Sequence, residues 1–286
     1  MGGSVTPIGS HVPVAGGLAT AGLAYADKIG ADAVQVFVGN PRGWASSAGN
    51  PDEDAAMRDH VARHGLPVYV HTPYLVNFGS PTPATLEKSV LAVRHSLERG
   101  ARIGARGVVV HTGSAVGGNR YADALAQVRA RMLPLLDELP PDGPDLLLEP
   151  MAGQGKMLCA RVEDLGPYLD ALDGHPRAGV CLDTCHAFAA GHDVRTAEGV
   201  AEMFAALEAH APGRLRLVHA NDSADACGSN RDRHARIGAG HIGEDGFAAL
   251  LAHPVAVSVP WVLETPGDAD AHAADIATLR RLLAGT

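Results

Sequence analysis

Cysteine, lysine and long apolar runs are all scarce in this chain. Its 286 residues include four cysteines, two of them within one strand-like segment, which does not indicate a disulfide framework, and we expect reduced thiols. No apolar run is long enough to span a bilayer, so the sequence predicts no membrane segment. The N-terminal stretch MGGSVTPIGSHVPVAGG lacks the basic start and the apolar core of a secretory signal, and we therefore expect a cytoplasmic protein.

Positive charge is also limited, because the formal net charge is -9 and only three lysines occur, at positions 28, 88 and 156. This balance argues against a protein that coats nucleic acid through bulk electrostatics. The net charge would be a misleading guide if several acidic side chains bind cations, since a metal cluster cancels their charge locally. Fifteen histidines are many for a chain of this length, and their positions decide between these interpretations.

Short apolar runs alternate with segments of helical periodicity, and the alternation repeats eight times. The runs cover residues 7–12, 33–39, 68–73, 107–113, 145–151, 178–186, 215–222 and 261–267. The helix candidates cover residues 18–29, 52–64, 84–103, 121–139, 162–172, 197–210, 246–253 and 269–284. The runs show little alternating polarity, as expected of strands buried on both faces of a parallel sheet. The pattern predicts an α/β fold, a (β/α)8 TIM barrel, and without an interrupting linker we expect one domain over residues 1–286.

Polar residues recur where the predicted strands end. In chain order they are His11, Asn40 with Arg42, His71, His111, Glu149, Asp183, His219 and Glu264. A single residue of this kind usually anchors a loop by hydrogen bonds. In a barrel, however, these ends converge on one mouth, and several carboxylates in one cleft repel each other strongly without cations. The sequence therefore predicts a metal site.

The seventh loop adds a pair of candidate ligands. Asp232 and His234 are two residues apart, so in extended chain both side chains face the same way, and His186 would complete a three-ligand set. The full set of candidates is His71, His111, Glu149, Asp183, His186, His219, Asp232, His234 and Glu264. Nine ligands are too many for one tetrahedral ion, so two or three ions are expected, and imidazole with carboxylate suits Zn, Mn or Fe.

Thiolate ligands are an alternative that geometry alone does not exclude. Strand alternation puts Cys181 on the same side as Asp183, and Cys185 is next to His186. The spacing of the two cysteines is not that of a zinc knuckle, and no second pair lies nearby, which favours packing in the barrel interior. Cys159 and Cys227 carry no signal.

The segments CLDTCHAFAAGHD (181–193), HAND (219–222), GSNRDRH (228–234) and GxGxIG (238–243, where x is any residue) resemble the signatures of endonuclease IV, the zinc-dependent apurinic/apyrimidinic endonuclease family. Further blocks follow in the same order, namely GSHV (9–12) with AGGL (15–18), HTPYLVN (71–77), HTGS (111–114), Glu149 with AGQG (152–155), and LETP (263–266). The resemblance covers essentially the whole chain, and its blocks coincide with the predicted strand ends.

The resemblance implies a trinuclear zinc centre, with Mn or Fe possible at some positions. Carried over by position, the sets are His71 and His111 at the first ion, Glu149 bridging it to the second, Asp183, His219 and Glu264 at the second, and His186, Asp232 and His234 at the third. It also implies that Glu149 and Glu264 act in catalysis. The implied reaction is hydrolysis of double-stranded DNA 5′ to an abasic site, leaving a 3′-hydroxyl and a 5′-deoxyribose phosphate, and the same site should trim blocked 3′ ends.

The same resemblance implies residues that read the lesion. The matching positions are Arg42, on the loop NPRGW (40–44), and Tyr74 with Leu75 after the third strand. The chain departs from the family pattern at Gly43, where a Gln often fills the gap in the duplex, so lesion binding would depend more on the other three residues. Pro150 after Glu149 also differs, and it removes a backbone donor without removing the ligand. A monomer is the simplest expectation.

A sugar isomerase or epimerase on a related barrel is the main alternative, since such enzymes also gather carboxylates and histidine around a divalent metal. Many of them use a lysine or a carboxylate base, and of the lysines here only Lys156 lies near the predicted mouth. Nine ligand candidates exceed what an enzyme with one or two metals needs. A metal-storing or inactive DNA-binding barrel is a third possibility. Nothing in the sequence supports it, because every expected ligand position is occupied by a suitable residue.

Overall fold

Eight parallel strands close into a barrel in the computed structural model, which describes residues 6–118 and 120–286. The barrel strands are β1 Ile8–His11, β2 Val34–Phe37, β3 Val68–His71, β4 Gly107–His111, β5 Asp145–Glu149, β6 Ala178–Asp183, β7 Leu215–Ala220 and β10 Trp261–Leu263. Around the barrel they follow the order β1-β10-β7-β6-β5-β4-β3-β2. The predicted single-domain TIM barrel is confirmed.

Helices alternate with the strands and cover the outside of the barrel. They are α1 Thr20–Ile29, α2 Pro51–His64, α3 Pro83–Ile103, α4 Tyr121–Asp137, α5 Leu165–Ala171, α6 Thr184–Ala189, α7 Ala197–His210, α8 Gly243–Ala252 and α9 Ala269–Ala284. A 3₁₀ turn, Val162–Asp164, precedes α5 and occupies the start of the helix expected over residues 162–172. Among the helices that the structure describes, none has the length and apolarity needed to cross a membrane.

The strand expected over residues 178–186 is shorter than predicted. Asp183 is the last residue of β6, and its Oδ1 accepts a hydrogen bond from the backbone N–H of His186 at 2.9 Å. An acidic side chain in this position satisfies a free N–H at the start of a helix, and α6 begins at the next residue. β6 therefore ends at Asp183, the polar strand end that the sequence indicates, and the rest of the run to residue 186 is helical.

The seventh run also ends earlier than expected, at Ala220, and Glu264 follows β10 instead of ending it. Beyond β7 the chain forms a small antiparallel ribbon that the sequence pattern did not predict. Its strands are β8 Asp222–Ser223 and β9 His234–Ala235. The pairing of Ser223 with His234 brings the loop that contains the Asp232–His234 pair back over the barrel mouth.

Two apolar clusters build the core. The larger one fills the space between strands and helices, and the smaller one lies inside the barrel. The inner cluster consists of Ala33, Tyr69, Val109, Leu147, Cys181, Leu217 and Val262. Each of these residues comes from a different strand or strand start, because alternate residues of a strand face the same side. The first strand has Gly9 in place of an inner side chain.

Gly9→Ala should disrupt the barrel, because a Cβ at this position would lie 1.6 Å from the Ala33 carbonyl oxygen. Relieving that overlap requires the backbones of β1 and β2 to separate, and we expect a loss of at least about 3 kcal/mol in the free energy of unfolding. Urea unfolding followed by circular dichroism measures this. Gly39→Ala is the matched control, since its Cβ would meet nothing closer than 3.8 Å, and an equal loss in both variants would contradict the explanation.

Candidate metal centre

A two-residue step along the strands leads from the inner apolar cluster to a polar ring at the barrel mouth. The residues reached by this step are Gln35, His71, His111, Glu149, Asp183, His219 and Glu264. Because side chains two apart in a strand face the same side, all of them point into the barrel at its carboxyl end. Six of the seven are predicted ligands. Gln35 was not predicted, because it lies inside β2 and the polar residues that follow this strand are Asn40 and Arg42.

The structure brings all nine predicted ligands into three adjoining clusters. Within each cluster the possible ligand atoms lie within 4.8 Å of one another. The clusters are His71, His111 and Glu149; Glu149, Asp183, His219 and Glu264; and His186, Asp232 and His234. We call them the first, central and third clusters. They group the residues in the same sets that the sequence resemblance implies.

Glu149 joins the first cluster to the central one and is fully buried. Its Oε2 lies 3.3 Å from His71 Nε2 and 3.5 Å from His111 Nε2. Its Oε1 lies 3.3 Å from Nδ1 of both His186 and His219. Burial alone would raise the pKa of this carboxyl group, but the charge of His219 and hydrogen bonds from His219 and His71 contribute to holding the pKa well below its ordinary value. A charged carboxylate at the centre of four imidazoles results.

Three imidazoles of the clusters have one ring nitrogen committed to a backbone carbonyl. His71 Nδ1 lies 2.7 Å from the Thr72 oxygen, and His186 Nδ1 lies 3.0 Å from the Pro150 oxygen. His234 Nδ1 lies 3.3 Å from the Glu264 carbonyl oxygen. A carbonyl oxygen only accepts, so the ring hydrogen of each neutral imidazole is on Nδ1, and Nε2 has the free electron pair. Pro150 therefore still contributes an acceptor, although it has lost its N–H.

The free electron pairs face carboxylate oxygens. His186 Nε2 and His234 Nε2 lie 3.2 and 3.1 Å from the two oxygens of Asp232. Both nitrogens are buried, and neither has a hydrogen-bond partner within residues 6–118 and 120–286. Two acceptors at this distance repel each other unless a cation lies between them. Nitrogen and carboxylate ligands around a shared point are the donors that zinc, manganese and iron accept, so the residues fit a bound metal.

Local electrostatics favour the neutral ligand form of His111 but the protonated form of His234. Burial lowers the pKa of His111 to about 4, assisted by the neighbouring His71 and His186, so this ring is neutral at neutral pH. In the third cluster burial opposes the charge, yet Asp183 and Asp232 raise the pKa of His234 to about 9. The proton that His234 retains in the absence of metal occupies the place of a cation beside Asp232. Metal binding there must release this proton.

A cavity of about 450 Å³ opens onto the clusters. Its lining residues are Tyr74, His111, Met151, His186, Asp232, His234 and Glu264. The Tyr74 ring is 49% exposed and stacks on the His111 ring with centroids 5.7 Å apart, so it forms a flat apolar wall beside the ligands. Met151 was not predicted as a mouth residue.

The other two predicted DNA-binding residues lie beside this cavity and do not line it. Arg42 is exposed on the loop after β2, and Leu75 is 38% exposed next to Tyr74. The backbone N–H of Tyr74 donates to the Pro41 oxygen at 3.0 Å, which ties the two loops together. The three atoms nearest to a would-be Cβ at Gly43 all belong to Asn40, the closest at 3.0 Å.

Two buried side chains after β7 hold the ligand loops in place. Asn221 donates to Asp183 Oδ2 at 2.7 Å and accepts from the Glu264 N–H at 2.9 Å. The Asp222 carboxylate accepts five backbone N–H groups, those of Ser223, Gly238, Gly240, Ile242 and Gly243. Both residues belong to the motif HAND, but their anchoring role depends on long-range contacts that the sequence does not reveal.

Cys181 of β6 and Cys185 of α6 lie close to the clusters. Cys181 Sγ is within 4.8 Å of ligand atoms of Glu149 and His219, and Cys185 Sγ is within the same distance of Asp183 and His234. Burial raises the pKa of each thiol to about 12. Cys181 is also a member of the inner apolar cluster, as packing predicted. The clusters have complete nitrogen and oxygen ligand sets without either thiol.

Comparison with known proteins identifies the family. Residues 23–282 match the family model described as a xylose isomerase-like TIM barrel. A protein of Streptomyces coelicolor named "Probable endonuclease 4" is 59% identical over 281 residues, which cover 98% of this chain and 96% of the relative. The chain belongs to the endonuclease IV family. The resemblance seen in the sequence is confirmed.

Solved structures agree with this assignment to the endonuclease IV family. The crystal structure of endonuclease IV from Thermus thermophilus is 35% identical, with a TM-score of 0.85 over 98% of this chain and all of that one. The crystal structure of a D-tagatose 3-epimerase-like protein is 18% identical, with a TM-score of 0.75 over 97% of both chains. At that identity the second likeness concerns the barrel fold alone.

Replacing both Cys181 and Cys185 by alanine should leave the metal content of this endonuclease IV family member unchanged, because nitrogen and oxygen ligands complete every cluster. We expect only a packing loss of about 1–2 kcal/mol in stability. Inductively coupled plasma mass spectrometry of the dialysed protein counts the metal ions per chain. His186→Ala is the control that should lose one metal ion. Loss of an ion from the double cysteine variant would make a thiol a ligand.

Proposed function

We propose that this protein is a DNA-repair endonuclease that hydrolyses the phosphodiester bond 5′ to abasic sites in double-stranded DNA, using three zinc ions. The products are a 3′-hydroxyl and a 5′-deoxyribose phosphate, and the same site removes blocking groups from 3′ ends. The observation that carries the proposal is the sharing of Glu149 between the first and central clusters, with the third cluster opening on the same cavity, in a chain of the endonuclease IV family.

Metal ions bound at the clusters would neutralise phosphate charge and lower the pKa of a water molecule, which is what phosphodiester hydrolysis requires. The protein residues supply ligands in fixed positions. Glu149 offers one oxygen to each of two neighbouring clusters, which suits a carboxylate that bridges two ions. Asp183 is held by Asn221 and by the His186 N–H, so its remaining electron pairs stay directed at the mouth.

Tyr74, Leu75 and Arg42 are the proposed DNA-contacting residues. An abasic nucleotide has lost its stacking, so moving it out of the duplex costs less than moving an intact one. The flat Tyr74 ring stands beside the ligands and offers a surface against the sugar or the neighbouring base. Arg42 is the exposed cation of the linked loop and suits a backbone phosphate. The expectation of a cytoplasmic monomer stays a prediction.

A sugar isomerase or epimerase is the competing function, because the barrel also resembles a D-tagatose 3-epimerase-like protein in fold. The mouth contains nine ligand candidates in three clusters, whereas proton transfer on a sugar needs one metal and one or two acid–base groups. Incubation of the purified enzyme with ketohexoses, followed by sugar chromatography, decides between the two. Epimerisation by an enzyme that leaves an abasic duplex intact would reverse our assignment.

Glu149→Gln and Glu264→Gln should each lower the rate of abasic-site cleavage by on the order of a thousandfold, because each removes a charged ligand and about 4 kcal/mol of transition-state stabilisation. The assay is cleavage of a duplex with one tetrahydrofuran abasic analogue, resolved on a denaturing gel, together with metal quantification. Glu98→Gln, an exposed carboxylate on α3, is the matched control. Wild-type activity in either cluster variant, or fewer than two bound ions in the wild-type protein, would refute the proposal.

Tyr74→Ala should weaken binding of the abasic duplex by about ten- to a hundredfold while metal content stays at the wild-type level, since stacking on an aromatic ring contributes about 1–3 kcal/mol. Fluorescence anisotropy with labelled duplex, at a stated salt concentration, measures the dissociation constant. Tyr121→Ala is the control, because Tyr121 is 43% exposed but does not line the mouth cavity. Equal weakening in both variants would remove Tyr74 from the binding surface.

A further inference from the structure

Gln35 is a fully buried amide at the barrel mouth, on β2, two residues beyond Ala33 of the inner apolar cluster. We propose that Gln35 is a positioning residue that fixes which ring nitrogen His219 presents to the metal of the central cluster and orients the Glu264 carboxylate toward the same point. This inference rests on the metal-dependent function proposed above, but it concerns metal binding alone.

The hydrogen bonds of Gln35 define the orientation of its amide. Its side-chain nitrogen lies 2.6 Å from Glu264 Oε1. A carboxylate oxygen only accepts, so the group facing Glu264 must be the NH₂. The second N–H points to His11 Nδ1 at 3.1 Å, and the amide oxygen therefore faces His219, with Nε2 of that ring at 2.8 Å. Both N–H groups and the carbonyl oxygen of the amide are used, and a flipped amide would set its oxygen against the Glu264 carboxylate, which excludes that orientation.

This orientation decides the proton position on His219. The amide oxygen accepts, so the ring hydrogen of neutral His219 is on Nε2, and the free electron pair is on Nδ1. His219 Nδ1 lies 3.3 Å from Glu149 Oε1, 3.4 Å from Glu264 Oε2 and 4.0 Å from Asp183 Oδ2. Gln35 thus directs the nitrogen lone pair of one ligand, and the second oxygen of another, to the centre of the central cluster.

Gln35 differs in kind from the partners of the other imidazoles. His71, His186 and His234 donate to backbone carbonyls, which remain after any side-chain substitution. For His219 the same role falls to a side chain, which a point substitution removes. The neighbouring clusters do not contact Gln35 through any described hydrogen bond, so the effect of its removal should be confined to one ion.

The first experiment removes the amide and counts metals. Gln35→Met keeps the length and the apolar volume but loses all three hydrogen bonds. After zinc loading, native mass spectrometry and competition with a chromophoric chelator should show one ion bound about ten- to a hundredfold more weakly, with the other ions at wild-type affinity. Ser10→Ala is the matched control, because Ser10 is fully buried on the adjacent strand and bonds only backbone oxygens. Wild-type affinity for every ion in Gln35→Met would overturn the proposal, as would equal weakening of all of them.

The second experiment needs no variant and so remains decisive if Gln35→Met does not fold. Long-range proton–nitrogen correlation spectra of the zinc-loaded wild-type protein, labelled with ¹⁵N-histidine, report the protonated nitrogen of each ring. We expect His219 with its hydrogen on Nε2 and metal on Nδ1, and the opposite assignment would refute the role of Gln35. Both measurements are made without DNA. An inactive wild-type enzyme that gives the expected results would therefore contradict only the proposed function.

Discussion

The site depends on one constraint, which is that four of its five imidazoles use their ring hydrogen on the side away from the mouth. Three rings donate to carbonyls and His219 donates to Gln35. The opposite ring nitrogens then have free electron pairs. These face the carboxylate oxygens of Glu149, Asp183, Asp232 and Glu264, which are hydrogen-bond acceptors too. Only a proton or a metal ion relieves that opposition. Surrounding hydrogen bonds fix the orientation of these four rings.

The barrel provides this constraint through its strand register. Below the mouth, the inner apolar cluster closes the barrel, and one further step along each strand turns the interior from apolar to ionisable. A scaffold of helices would need a separate structural solution for each side chain to direct so many of them into one cavity. Parallel strands aim them together, since each strand contributes its last inward-facing position to the same end of the barrel.

Much of this could be predicted from the sequence, because strand runs and polar strand ends depend on local pattern. The eight runs and the residues His71, His111 and Glu149 could be placed without any tertiary information. The end of an apolar run differs from the end of the strand where a local side-chain interaction competes with the strand. At Asp183 the carboxylate accepts the His186 N–H and starts a helix inside the apolar run. Gln35 was missed for a different reason. An amide in an apolar strand carries no chemical signal until its long-range partners are known.

The loop after β9 has a consequence for how this region can vary in evolution. Asp222 holds the loop through backbone N–H groups alone, and a Cβ at Gly240 would lie 2.4 Å from its Oδ1. The loop is therefore selected for conformation and not for side-chain chemistry. Ala239 and His241 have exposed side chains that Asp222 does not bind, whereas a change at residue 222 or 240 should alter the whole segment. Sequence drift there should conserve the glycines and the acid while the residues between them diverge.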